Sequence, residues 1–145
     1  MRFDHKIKKL LSGQGLASAR KHTLRSLRAN GFPLEKNRVI ETIDPVAFEQ
    51  IRQRYAVNNL TEDWRKYLDL DRWIAINIRR IRDIELDFAR RKRILDLGCG
   101  AGYFLYIAQL LGHSGLGLDV DYVPMFADIT RLLGVRRVIQ QIRAF

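Results

Sequence analysis

The residues best placed to do chemistry lie in one run, Asp96-Leu97-Gly98-Cys99-Gly100-Ala101-Gly102-Tyr103-Phe104. Three glycines alternate with other residues where an apolar stretch gives way to helical spacing. Glycine lets the backbone turn tightly and lets a ligand reach the bare main chain. A helix beginning there offers unpaired N–H groups. In open α/β sheets, ligands bind outside the carboxyl ends of the strands at such turns. The spacing narrows the ligand. A dinucleotide fingerprint needs G-x-G-x-x-G, but its last position is Tyr103 counted from Gly98 and Leu105 counted from Gly100. A phosphate-cradling P-loop needs Gly-Lys-Ser/Thr, and none follows.

Such a turn must be held by a strand before it and a helix after it. Residues 93–97 form a short apolar run that predicts a strand buried on both faces. Residues 102–111 carry Phe104, Leu105, Ile107, Ala108 and Leu111 at helical spacing, with Phe104 expected on the sheet and Tyr103 near the ligand. Gly112-His113 reads as a turn, 115–119 as a second strand and 122–133 as a helix stopped at Gly134. Residues 135–142 read as a third strand. Strand, helix, strand, helix, strand predicts a parallel sheet with right-handed crossovers.

This pattern resembles the class I S-adenosylmethionine-dependent methyltransferases. The family's first motif, an acidic residue followed by G-x-G-x-G, is matched by Asp96, Gly98, Gly100 and Gly102. Its second motif, an acidic residue ending the second strand, is matched by Asp119. The resemblance implies an α/β, Rossmann-like parallel sheet, with residues 93–145 as the first three strands of the core. It implies S-adenosyl-L-methionine as cofactor. The glycine turn would pack on the methionine moiety, Asp96 would orient the cofactor through water, and Asp119 would accept both ribose hydroxyls. A carboxylate's two oxygens suit a vicinal diol. The implied reaction is in-line attack of an unidentified acceptor on the sulfonium methyl. The family's later strands have no counterpart before Phe145, so no catalytic residue is assigned. The chain is expected to be a fragment of a longer methyltransferase; a truncated inactive copy and a sheet completed by a second chain are the alternatives. The uncovered edge of 93–97 would be apolar and open to self-association.

The rest of the chain is different in character. The net charge is +10 over 145 residues, with 22 basic against 12 acidic residues in 1–93 and four of each in 94–145. Residues 1–38 read as a basic helical arm, with helical spacing over 5–11 and 16–29. It could meet nucleic acid or an anionic surface, or be a solvated face. Residues 39–92 read as a helical region or lid. Asp44-Pro45 starts a helix to about Val57, with Val46, Phe48, Ile51 and Tyr55 facing inward. Thr61 caps the next, which Leu68-Asp69-Leu70-Asp71 can interrupt, and Trp73, Ile74, Ile78, Ile81 and Ile84 continue an apolar stripe. Trp64, Tyr67 and Trp73 are read as packing aromatics, with stacking on a ligand the sharper alternative. Arg79-Arg80 and Arg90-Arg91-Lys92-Arg93 are read as solvated.

Several classes fall away. One cysteine, Cys99, makes no internal disulfide and no multi-cysteine zinc site. No histidine lies near it in sequence to activate a thiol, so Cys99 is read as a small residue filling a turn. His5, His22 and His113 lack metal-ligand spacing, and no metal is expected. No apolar run reaches the roughly 18 residues of a transmembrane helix, and a cytoplasmic location is expected. The remaining alternatives are a non-catalytic S-adenosylmethionine-binding or scaffold protein, a nucleic-acid-directed methyltransferase using the arm, and a nicotinamide oxidoreductase, which the glycine spacing disfavours.

Overall fold

The computed structural model describes residues 32, 34–57 and 62–141. The helices expected over 5–11 and 16–29, the Thr61 cap and Ile142, the last residue of the expected third strand, lie outside them. The described elements are α1 (Lys36–Ile40), α2 (Pro45–Val57), α3 (Glu62–Arg65), α4 (Leu70–Asp83), β1 (Arg93–Leu97), α5 (Tyr103–Leu110), β2 (Ser114–Asp119), α6 (Pro124–Leu132) and β3 (Arg137–Ile139). Short 3-10 turns, Lys66–Leu68 and Leu86–Phe88, precede α4 and β1.

Helix starts follow from local chemistry. Asp44 Oδ1 accepts from Val46 N at 2.9 Å and Ala47 N at 3.0 Å, which satisfies two otherwise unpaired donors at the head of α2. Asp69 does the same for α4, accepting from Arg72 N at 3.0 Å, so the acidic break after Leu68 is a helix cap. Ile74, Ile78 and Ile81 recur on one face of α4 and are buried. Two residues depart from expectation. Val46 points outward from the first turn of α2, and Ile84 is exposed because α4 ends at Asp83 before the stripe completes another turn.

The protein is α/β. Its three strands run parallel in the order β1-β2-β3, with Leu95 opposite Leu116, Leu97 opposite Leu118, and Gly117 opposite Arg137. The third strand spans three residues, shorter than the 135–142 expected: Val135 N still donates to Thr130 O of α6 at 2.8 Å, and Gln140 and Gln141 lie past its end. Two like-handed crossovers in a sheet growing in one direction put α5 and α6 on the same face. Leu105 of α5 presses on Gly115 and Gly117 of β2. On the other side, α5 packs on α4 while α6 packs on α2. Leu105, Ile107, Met125, Ile129, Ile74 and Ile81 are fully buried, each worth about 1.5–3 kcal/mol of removal from water.

β1 corrects one expectation. It is covered on one face only, where Ile94 and Asp96 are half-buried, and its other side chains are exposed. Leu95 is 58% and Leu97 63% exposed, since no described helix covers the face opposite α5. His113 also has more to do than fill a turn. It is buried, its Nδ1 accepts from Lys92 N at 3.0 Å, and its Nε2 lies 3.0 Å from Leu86 O. A ring that accepts at Nδ1 carries its proton on Nε2 and donates it to Leu86. The imidazole thus clamps the lead-in to β1 onto the start of β2.

Candidate functional site

β1 ends at Leu97 and the chain turns at once. Gly98, Gly100 and Gly102 have φ of 73°, 52° and 78°, all left-handed. The turn is tied to the neighbouring strand, with Gly98 N donating to Leu118 O at 2.8 Å, and is closed by Gly102 N on Cys99 O at 2.9 Å. Gly102 is needed twice over. Besides its φ, a Cβ there would lie 2.9 Å from Thr130 Cγ2 and 3.1 Å from Val135 Cγ1. The absence of a side chain lets α5 start close against α6.

Asp119 ends β2 beside this turn. Its Oδ2 accepts from Gly100 N at 3.0 Å, and its Oδ1 accepts from Val120 N at 2.9 Å. The two sequence motifs, 19 residues apart at these atoms, are therefore one hydrogen bond apart in space. Asp119 Oδ2 also accepts from Arg137 Nη2 at 3.0 Å. The Arg137 side chain is 5% exposed and that of Asp119 13%. Arg137 Nη2 donates further to Asp121 O at 2.9 Å, and its guanidinium carbon lies 5.6 Å from the centre of the Phe126 ring.

Asp96 faces the other side of the turn, into a cavity of about 130 Å³. The glycine turn, Asp96 and Phe104 form one wall, and Tyr67, Trp73 and Arg80 from the preceding helices form the other. Burial pushes the Asp96 carboxyl above the usual carboxylate range; the positive charge of Arg80 opposes this and the negative charge of Asp119 adds to it. Phe104 lines this cavity where it was expected on the sheet. Leu105, one residue on, takes the sheet-facing position. Tyr103 is buried beside the cavity and donates from its hydroxyl to Tyr67 O at 2.8 Å, which fixes the helical layer over the turn.

The aromatics pack on one another, as read. Tyr67 stacks on Trp73 with centroids 4.4 Å apart, and meets Phe126 edge-on at 4.7 Å. Tyr67 and Trp73 also line the cavity, and Trp64 and Phe126 do not. Cys99 fits its reading as a filler, since its Sγ takes the space a Gly117 Cβ would need. Burial pushes its thiol up, against the lowering effect of Arg137, so it is held away from the reactive thiolate. Among the described residues, no group of three or more His, Cys, Asp or Glu could hold a metal ion, and no helix is long and apolar enough to cross a membrane.

All five expected site residues fall in one neighbourhood. Arg80 and Arg137 were not anticipated as part of it. Arg80 was read as a solvated charge. Arg137 carries no local signal; the register that pairs it with Gly117, two residues before Asp119, is what brings its guanidinium to that carboxylate.

Comparisons with protein-family models, with curated proteins and with solved structures find no match for the chain. The functional reading rests on the residues and their geometry.

Proposed function

We propose that the chain carries the cofactor half-site of a class I S-adenosylmethionine-dependent methyltransferase, in a Rossmann-like arrangement of the three strands. One observation carries the reading. The left-handed glycine turn and the Asp119 carboxylate adjoin at the carboxyl ends of neighbouring parallel strands, joined by Gly100 N at 3.0 Å. That is the place where open α/β sheets bind nucleotide-like ligands.

The cavity's size and charges support a division of labour. At about 130 Å³ it is well below the roughly 300 Å³ at which pockets for whole drug-sized ligands begin. It suits an amino-acid end. Asp96 and Arg80 offer opposite charges to an ammonium and a carboxylate, and the turn offers bare backbone. The nucleoside would lie beyond the turn, on the Asp119 side. Bound there, S-adenosylmethionine supplies a sulfonium methyl already activated for in-line displacement. The chain's residues hold and orient the donor, and the aromatic layer of Tyr67 and Trp73 keeps water from the amino-acid end. The acceptor and its base are not assigned.

The test is calorimetric titration of the folded chain with S-adenosylhomocysteine, with NAD as control. Binding weakened at least tenfold by Asp96→Asn, with no heat from NAD, is expected. A folded chain silent to S-adenosylhomocysteine, or one that responds to NAD, overturns the reading. Methyl transfer to an added acceptor separates an enzyme from a protein that only binds the cofactor.

A further inference from the structure

Asp119 has fewer free acceptor positions than a ribose needs. An ionised carboxylate offers about four lone-pair sites. Three are occupied: two on Oδ2 by Gly100 N and Arg137 Nη2, and one on Oδ1 by Val120 N. A vicinal diol donating both hydrogens needs two. The Gly100 and Val120 amides belong to the backbone of the turns and cannot leave without unmaking them. Arg137 is a side chain and can.

Arg137 also has reason to move. Its side chain is 5% exposed, yet its buried Nε has no hydrogen-bond partner among the described residues. Orphaned buried donors are rare and costly, and they call for an explanation. A guanidinium with one unsatisfied donor is not in its best arrangement. It has anchors that do not involve Asp119: the Asp121 carbonyl at 2.9 Å and the face of Phe126.

We propose that Arg137 gates the ribose position. Arg137 occupies one acceptor edge of Asp119. A ligand with a vicinal diol takes that edge, and Arg137 turns away while keeping its hold on Asp121 and Phe126. The inference rests on the cofactor reading, with Asp119 as the ribose carboxylate. Its consequence is a lowered apparent affinity, because only the fraction of molecules with the gate open can bind. A ligand lacking one hydroxyl needs no displacement, so the gate also compresses the preference for ribose over deoxyribose.

The experiment titrates the wild-type chain and Arg137→Met with S-adenosylhomocysteine, adenosine and 2′-deoxyadenosine, after circular dichroism and melting confirm that both are folded. Losing a competing charge-assisted hydrogen bond should tighten S-adenosylhomocysteine on the order of tenfold in Arg137→Met. The ratio of adenosine to 2′-deoxyadenosine affinity should also rise. Equal or weaker binding by the folded variant overturns the gate and leaves the cofactor reading standing. Binding by neither overturns both. Should Arg137→Met fail to fold, the wild-type chain decides. The Arg137 Nε–H resonance in ¹H–¹⁵N spectra should shift, with faster exchange with water, at saturating S-adenosylhomocysteine. An unmoved resonance in a saturated chain overturns the gate.

Discussion

Arg137 Nη2 lies 3.0 Å from Asp119 Oδ2, joining the first residue of β3 to the last of β2 almost out of solvent. The pair is unequal in what each partner keeps when the other is removed. Asp119 without Arg137 still accepts from two backbone amides. Arg137 without Asp119 keeps the Asp121 carbonyl and the Phe126 ring, and loses its carboxylate. Breaking a buried pair costs about 3–5 kcal/mol when a charge is left uncompensated. Asp119→Ala is therefore expected near that range, and Arg137→Met below it. The double variant should cost less than the sum. Urea unfolding of the four proteins closes the cycle, and additive costs would contradict the coupling.

Glycines in the turn should differ in tolerance, although all three share a left-handed φ. Gly98→Ala meets nothing within 4 Å, so it bears only the conformational cost, about 1 kcal/mol. Gly102→Ala adds a Cβ 2.9 Å from Thr130 Cγ2 and 3.1 Å from Val135 Cγ1, on two elements that would have to part. Its loss should exceed that of Gly98→Ala by about 1–3 kcal/mol. Comparing urea midpoints tests this; equal losses would mean that α5 and α6 separate freely.

How far the sequence foretells this arrangement depends on whether a signal is local. The Asp44 cap, the break at Leu68–Asp71, the glycine turn and the parallel strands are local patterns of residue type and period, and each is present. The juxtaposition of Gly100 and Asp119 follows once both strand ends are placed side by side. Burial of β1 is different. An apolar pentapeptide reads as buried on both faces, but Leu95 and Leu97 face away from α5 and α6, and periodicity does not say which faces receive a cover. Arg137 and Arg80 were missed for a related reason. A charge reads as solvated until the fold places a carboxylate beside it, as Asp119 beside Arg137, or a cavity, as beside Arg80.

Acid should loosen the link between α2 and α6. Asp128 of α6 accepts from Arg54 Nη1 at 2.7 Å and from the Tyr55 hydroxyl at 2.8 Å, both on α2. Burial alone would raise its carboxyl, but the bonds from Tyr55 and Arg54 outweigh that and hold it below the usual range. A folded-state value below the unfolded one gives stability that is complete above the unfolded pKa, about 3.9, and is lost as pH falls through the folded value. Asp128→Asn should lower the melting temperature at pH 7, and its gap from wild type should close below about pH 4. A gap independent of pH would refute the linkage.

The uncovered face of β1 should govern association more than stability. Leu95 and Leu97 stand exposed on an edge strand whose outer backbone groups have no strand partner among the described residues. Flat apolar edges pair with other chains, and charged side chains on them suppress it. Leu97→Lys should reduce concentration-dependent self-association in sedimentation velocity while changing the unfolding midpoint little, since surface substitutions usually stay within about 0.5 kcal/mol. A large loss of stability would show that Leu97 is covered in solution by part of the same chain.

Asp96 should oppose stability to binding in one residue. Its carboxyl is raised chiefly by burial, so the ionised form is less welcome in the folded chain than in the unfolded one. A raised folded-state value gives stability present below the unfolded pKa and lost as pH rises through the folded value. At neutral pH the charge is therefore a net burden, relieved only in part by Arg80. Asp96→Asn removes it in nearly the same volume and should raise the melting temperature at pH 7. The advantage should shrink toward pH 4, where the wild-type carboxyl takes up its proton. If the carboxylate is there to meet an ammonium, the same variant should weaken S-adenosylhomocysteine. A variant that gains stability without losing affinity would place the ammonium elsewhere. One that loses both would make Asp96 a structural partner of Arg80.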